Sequence, residues 1–168
     1  MPLIELTRKG KPNKLEWGQR EENAFRGLKQ CLSKQPILKL PDLSKEFLLQ
    51  TDASKCAVGA VLMQEHEGNN FPVAFASRKL QPREIKYSVI EKECLALVWA
   101  IRKFHVYLYG RQFTLQTDHQ PLLYLNSAVH DNGRLMRWSL FLQSYQIKIE
   151  AIRGTENVGA DYMSRLYE

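Results

Sequence analysis

Residues 47–64, FLLQTDASKCAVGAVLMQ, alternate apolar and polar positions as a half-buried strand does, with Asp52 in the middle of the run. Strand-like runs cover Glu46–Asp52, Ala57–Glu65 and Phe71–Ser77, and Gly68-Asn69-Asn70 between the last two is hairpin-turn chemistry. The period then changes to three and four. Over residues 87–108, YSVIEKECLALVWAIRKFHVYL, the positions Ile90, Cys94, Leu97, Val98 and Ile101 share one side, which predicts a long amphipathic helix with Ser88 as N-cap. After Gly110, RQFTLQTD alternates again and ends on Asp118. A helix is predicted over Arg134–Ser144, a strand over YQIKIEAI and a short helix over Glu156–Leu166, whose apolar contacts would be Val158, Tyr162 and Leu166. Upstream, Ala24, Phe25, Leu28, Cys31 and Leu32 recur at helical spacing within Gln19–Ser33, and Gln35-Pro36 ends that helix.

Antiparallel strands first and strand–helix–strand units afterwards predict an α/β fold, a mixed sheet with helices packed on it. The length of 168 residues suits one compact domain. Residues 1–16 are polar, with Pro2, Gly10 and Pro12, and read as a linker or the tail of something upstream. No apolar run is long enough to span a bilayer, and charge and proline interrupt the N-terminus before a signal-peptide core forms. Three cysteines without C-x-x-C spacing suggest neither a disulfide framework nor a zinc site, which fits a reducing compartment. The net charge of +6 fits a polyanionic partner, although Lys and Arg are scattered and form no tail.

Several acids stand out in this basic chain. The segments FLLQTDAS and FTLQTDHQ echo each other, each reaching Thr-Asp as the strand runs out. Aspartate is disfavoured inside strands. Asp52 and Asp118 therefore either cap the turns that follow, which suits Asp118 before His119-Gln120-Pro121, or belong to a site. On the long helix Glu93 lies beside the apolar stripe, where a charge needs a partner or a metal, and Glu91 points away to solvent. Asp161, in ENVGADYMSRL, is either an exposed first-turn residue favoured by the helix dipole or a fourth member. Four such carboxylates repel one another unless divalent cations neutralise them, and an oxygen-only donor set selects Mg²⁺ or Mn²⁺ over zinc. In two-metal sites, ions about 3.5–4 Å apart stabilise the attacking and leaving oxygens of phosphoryl transfer. Asp52 would bridge them.

The stretch from Glu46 onward resembles the ribonuclease H domain of reverse transcriptases from gypsy-type LTR retrotransposons, through LLQTDASKCAVGAVLMQ, PVAFASRKL, YSVIEKECLALVWAIRKFHVYLYG, FTLQTDHQPL, RLMRWSLFLQSY and GTENVGADYMSR. LEWGQREENAFRGLKQCLSKQPIL resembles the connecting segment between polymerase and nuclease. The resemblance implies residues 1–45 as that segment and 46–168 as a ribonuclease-H-like domain, a mixed five-stranded sheet with helices on both faces. It implies two Mg²⁺ ions, with Mn²⁺ able to substitute, on Asp52, Glu93, Asp118 and Asp161, and hydrolysis of the RNA strand of RNA–DNA hybrids during reverse transcription. Such an enzyme reads 2′-hydroxyls and backbone shape. Ser54, Arg78, Lys79, His119 and Asn157 are the candidate sugar and phosphate contacts, against surface solvation for the two cations and local capping for Ser54 and Asn157. A polymerase domain upstream, an integrase downstream and an intracellular setting (cytoplasm, virus-like particle or nucleus) are further implications.

Two features depart from cellular ribonucleases H. Arg153 stands in IRGTENVGAD where those enzymes carry a His-containing loop, and PLLYLNSAVHDNGRLMR is too short for their basic protrusion. Two other readings compete. A catalytically silent ribonuclease-H-like structural or nucleic-acid-binding module would have no reason to retain four mutually repelling acids. An integrase or transposase would place its glutamate late in the chain, whereas here it comes second.

Overall fold

The computed structural model describes residues 3, 6, 14–33, 38–119 and 132–167, and the chain divides into two compact units, 1–37 and 38–168. In the first, helix α1 (Gln19–Ser33) starts behind Trp17, whose indole donates to Glu22 and meets Phe25 edge-on. The predicted stop at Gln35-Pro36 lies outside the described residues.

The second unit runs β1 (Phe47–Ala53), β2 (Ala57–His66), β3 (Asn69–Lys79), α2 (Pro82–Ile85), α3 (Val89–Lys103), α4 (His105–Leu108), β4 (Gln112–Thr117), α5 (Gly133–Leu142), β5 (Gln146–Ala151), a 3₁₀ turn (Gly154–Glu156) and α6 (Val158–Arg165). The five-stranded sheet has the order β3-β2-β1-β4-β5. β1–β2 and β2–β3 are antiparallel, and β1–β4 and β4–β5 are parallel. The expected mixed sheet is therefore present. The hairpin turn falls one residue earlier than its sequence implied: His66 pairs with Asn69, leaving Glu67 and Gly68 both at positive φ, 54° and 78°. Two left-handed residues match the twist of the flanking strands, which is why Gly68 takes the second place. The long helix predicted over 87–108 breaks at Phe104 into α3 and α4, and α2 was not anticipated. Pro82 at its first position and a Gln81–Glu84 capping box define α2.

Alternation along the strands assigns the two faces. Phe47, Leu49, Ala60, Leu62, Phe113 and Leu115 form one core with Cys94, Leu97, Val98 and Ile101 of α3 and with Leu135 and Leu142 of α5. Gly59, Val61 and Asp52 face the other way, towards α6. α6 docks there by an unusual route. The predicted contacts Val158 and Tyr162 are 64% and 66% exposed and Leu166 is also exposed, whereas Ala160 and Ser164 are buried. Small residues win because the helix backbone itself lies on the sheet: a Cβ at Gly59 would come within 2.4 Å of both the Ala160 carbonyl and the Ser164 nitrogen. Larger side chains on that side of α6 would hold the backbones apart. Hydroxyls from the sheet reinforce the contact, Ser77 donating to the Met163 carbonyl at 2.6 Å and Ser54 to that of Ser164 at 2.8 Å. These are carbonyls of the last turn, which have no partner within the helix.

Gly59→Ala forces that contact apart, and overpacking of this kind destabilises by roughly 1–3 kcal/mol. Urea denaturation should show the loss as a lower midpoint with an unchanged slope; a midpoint equal to the parent's would contradict the close docking.

Candidate active site

The two echoing segments lie side by side. In the parallel β1–β4 pair, Phe47 sits opposite Phe113, Leu49 opposite Leu115 and Gln50 opposite Gln116. The ladder ends there, and Thr51-Asp52 and Thr117-Asp118 follow directly, near enough for the Asp118 charge to act on Asp52. The Gln50 amide donates to the Gln116 side-chain oxygen at 3.0 Å, one step before the acids. Across the antiparallel side, Asp52 is paired with Gly59. α6 thus rests on the glycine next to the carboxylate.

That adjacency lets α6 grip the acid. The Ser164 hydroxyl, fully buried, makes a short hydrogen bond to Asp52 Oδ2 and lies 2.9 Å from the Asp161 carbonyl oxygen. Asp161 itself pairs with Arg165 one turn on, at 2.7 Å. Burial pushes the Asp52 carboxyl above its usual range, opposed by the Ser164 bond and supported by the nearby Asp161 and Asp118 charges. Glu93 comes from α3 on the opposite face and is buried. Burial pushes it up to about 8, with Asp52 and Asp118 adding to the rise and a bond from the Ala53 N–H opposing it. The four predicted acids therefore come from two strand ends and two helices and act on one another electrostatically. They do not form a tight cage: among the described residues no three His, Cys, Asp or Glu side chains are gathered closely enough to hold a metal ion. Ser164 and Arg165 instead hold Asp52 and Asp161.

Glu91 requires a correction. Sequence spacing turned it to solvent, but it is buried. Its carboxylate closes a capping box, accepting from the Ser88 N–H and hydroxyl at 2.9 Å each, and also accepts from Asn132 Nδ2 at 3.0 Å. Arg134 forms an ion pair with it while stacking 3.9 Å from the Tyr87 ring centre. The Ser88 backbone bond leads in holding Glu91 down to about 2, with Asn132 and Arg134 adding to it. The partners at the start of α5 lie more than forty residues away in sequence, so periodicity within α3 could not reveal them.

The five candidate substrate contacts are placed variously. Asn157 is buried, with its amide donating to the Thr51 carbonyl at 3.1 Å and to Asp118 Oδ1 at 3.2 Å. It ties one strand end to the acid of the next. His119 is beside Asp118, its backbone N–H bonded to Thr117 Oγ1; burial lowers its imidazole pKa against the pull of Asp118. Ser54 accepts from the Cys56 and Ala57 N–H groups and so shapes the β1–β2 turn besides holding α6. The Arg78 guanidinium forks onto Glu84 at 2.6 and 3.2 Å and lies over Trp99. Lys79 lies over the Tyr167 ring. Three buried polar atoms in this region have no partner among the described residues: Thr51 Oγ1, His119 Nε2 and Asn157 Oδ1. Sequence reasoning missed Ser164; its only signal was a hydroxyl one turn after Asp161.

The sheet and the sequence relationships agree. Residues 42–145 match the family described as the RNase H-like domain found in reverse transcriptase, and the chain belongs to that family. It is 49% identical over 143 residues to the retrovirus-related Pol polyprotein from transposon 297 of Drosophila melanogaster, covering 85% of this chain. It is 38% identical over 158 residues to the Tf2-3 transposon polyprotein of Schizosaccharomyces pombe, covering 91%. The chain spans 13% and 12% of those two proteins. Its fold is similar to that of a foamy viral protease–reverse transcriptase in complex with RNA/DNA hybrid (TM-score 0.59, 18% identity, 91% of this chain and 21% of that one). It also resembles RNase H1 from the archaeon Halobacterium salinarum (TM-score 0.54, 17% identity, 71% and 92%). These likenesses define a ribonuclease-H-like fold.

An acid protonated more readily in the folded chain than in the unfolded one adds stability that is complete below its ordinary pKa, and loses it as pH rises through the folded value. For Glu93 the window runs from 4.5 to about 8. In chelator the parent should lose stability across it with a slope of up to about 1.4 kcal/mol per pH unit, and Glu93→Gln should flatten that loss. A parent whose urea midpoint is constant over the window would contradict the buried, charge-crowded placement.

Proposed function

We propose that this domain is a divalent-metal-dependent ribonuclease H, hydrolysing the RNA strand of RNA–DNA hybrids as part of a retrotransposon reverse transcriptase. The observation that carries this reading is the pair of Thr-Asp strand ends at the finish of the parallel β1–β4 ladder, close enough for Asp52 and Asp118 to act on one another, with Glu93 and Asp161 brought to them from opposite faces. Carboxylates crowded so that burial and neighbouring charges raise both Asp52 and Glu93 are costly without a neutralising cation. Their oxygen-only donor set suits Mg²⁺, with Mn²⁺ as substitute. Asp52, Glu93, Asp118 and Asp161 would hold it, Asp52 and Asp161 turning from Ser164 and Arg165 to do so. Bound there, the metal supplies activation of a water and stabilisation of charge on the phosphate oxygens.

The protein's own part is positioning. Asn157 fixes Asp118 against β1, Ser164 holds Asp52 against α6 until metal draws it away, and Glu93, raised by burial and by Asp52 and Asp118, would give up its proton on binding metal. His119, beside Asp118, is the candidate sugar contact, the buried Asn157 positions Asp118, and Ser54 holds the turn that follows Asp52. The solved foamy viral relative was captured with RNA/DNA hybrid, which supports the same substrate class here. The relatives being Pol polyproteins, a polymerase and an integrase elsewhere in a parent polyprotein are the natural partners, and the cytoplasm or a virus-like particle the natural setting. The absence of a tight three-carboxylate cage among the described residues is the observation that favours the competing reading, a silent module.

Purified chain with Mg²⁺ should cut the RNA strand of a labelled hybrid to 3′-hydroxyl and 5′-phosphate ends, leaving an all-DNA duplex intact. Asp52→Asn should abolish cleavage yet melt no lower than the parent in chelator, because it removes a charge that burial disfavours. Mg²⁺ at 100 times its Kd should stabilise the parent by about 2.7 kcal/mol and the variant by less. Equal cutting of both duplexes, or an Mg²⁺ shift in neither melt, would falsify the metal-dependent ribonuclease.

A further inference from the structure

Asp118 follows the end of β4, and the connection from β5 to α6 wraps against it. The Ile152 N–H donates to the Thr117 carbonyl at 2.9 Å, which ties the incoming chain to the residue before the acid. The 3₁₀ turn then closes on itself, the Glu156 N–H donating to the Arg153 carbonyl at 2.8 Å and the Asn157 N–H to that of Gly154 at 3.2 Å. At the far end the Asn157 amide reaches both the Thr51 carbonyl and Asp118 Oδ1. Gly154 is thus held from both sides and faces the other oxygen of the same carboxylate. A Cβ on it would lie 3.2 Å from Asp118 Oδ2 and within 4 Å of no other described atom beyond its chain neighbours.

Backbone conformation does not ask for glycine here. The described glycines at positive φ are Gly68 and Gly110, whereas Gly154 is an exposed member of a 3₁₀ turn, a geometry open to any L-residue. Nor does a neighbouring backbone exclude a side chain, as it does at Gly59. What a side chain at 154 would meet is the carboxylate.

We propose that Gly154 is a positioning residue for the metal site: it keeps the flank of Asp118 Oδ2 clear, so that a cation on that oxygen retains a coordinated water there. The inference rests on the metal-dependent ribonuclease reading and deepens it to the hydration of the ion. Mg²⁺ dehydrates reluctantly and keeps several waters in an octahedron with bonds of about 2.0–2.1 Å, so adjacent ligand oxygens lie about 3 Å apart. A methyl group 3.2 Å from Oδ2 would compete for the place of such a water. The surroundings suit ordered water. Thr51 Oγ1, His119 Nε2 and Asn157 Oδ1 are buried without a partner among the described residues, and buried polar atoms as a rule find one. Asn157 bonds Asp118, His119 follows it in the chain, and Thr51 accepts from Asn157 through its carbonyl, so the three belong to the same neighbourhood. Within GTENVGAD a glycine reads as an ordinary turn residue; only the fold lays it against an acid from another strand.

Gly154→Ala tests this, because it separates metal binding from folding. Without metal the carboxylate needs to give by only a few tenths of an ångström. In chelator the variant of the whole chain should therefore melt no lower than the parent, since alanine in a conformation it can adopt restrains the unfolded chain. Calorimetric titration with Mg²⁺ should show affinity reduced about 10-fold or more, the scale of losing support around a metal ligand. The Mg²⁺ concentration for half-maximal cutting of hybrid should rise by the same factor. Gly133→Ala, whose Cβ would meet only the far end of Arg137 at 3.7 Å, should titrate as the parent does. Parental Mg²⁺ affinity in Gly154→Ala overturns the proposal and leaves the nuclease reading standing. A lower melt in chelator marks the glycine as structural and also overturns it. A parent that binds neither Mg²⁺ nor Mn²⁺ refutes the nuclease reading itself, and the proposal with it.

Discussion

The site depends on one close approach, the backbone of α6 lying on Gly59. That contact places Ser164 over both Gly59 and its cross-strand partner Asp52, so a single hydroxyl reports the position of the helix to the acid. Everything else on that face follows from it. With the helix at this distance, Ser54 and Ser77 reach its last carbonyls, and Asn157 at its start reaches Thr51 and Asp118. Ordinary ridge packing with large side chains would separate the axes more widely, and these bonds would be out of reach.

The opposite face works by different physics. There α3 packs as a conventional amphipathic helix on a large apolar core, and Glu93 is placed by that packing at the edge where β1 ends. Its height along the core is locked by the Ser88 cap and by the Glu91–Arg134 pair, which joins the first turns of α3 and α5. One acid is thus held by hydrophobic burial and another by polar contacts to a backbone-docked helix. The two arrangements meet at the carboxylates.

Periodicity made most of this fold legible. The strands, the core side of α3 and the Ser88 cap follow from alternation and capping chemistry that act over a few residues. What did not follow were features set by distant partners. Glu91 reads as a surface residue until Asn132 and Arg134 are brought against it. α6 reads as an ordinary amphipathic helix, so Val158 and Tyr162 look buried; no local pattern announces that a glycine a hundred residues earlier invites its backbone instead. Arg78 looks like a substrate contact until Glu84 is seen beneath it. Asp52 and Asp118 stood out for a different reason: aspartate at a strand end violates local preference, and a violation repeated in two echoing segments is visible without a structure.

The repeated segments have a consequence for how the two aspartates are spaced. A slip of one residue between β1 and β4 would turn one strand's apolar side chains away from the core, so the pairing is fixed by Phe47, Leu49, Phe113 and Leu115 and not by the acids. A slip of two would keep every side chain on its own face but would shift one carboxylate about 7 Å past the other. The interval between Asp52 and Asp118 is therefore a measurement made by oily side chains on the far side of the sheet. The hydrophobic core serves as a ruler for chemistry it never touches.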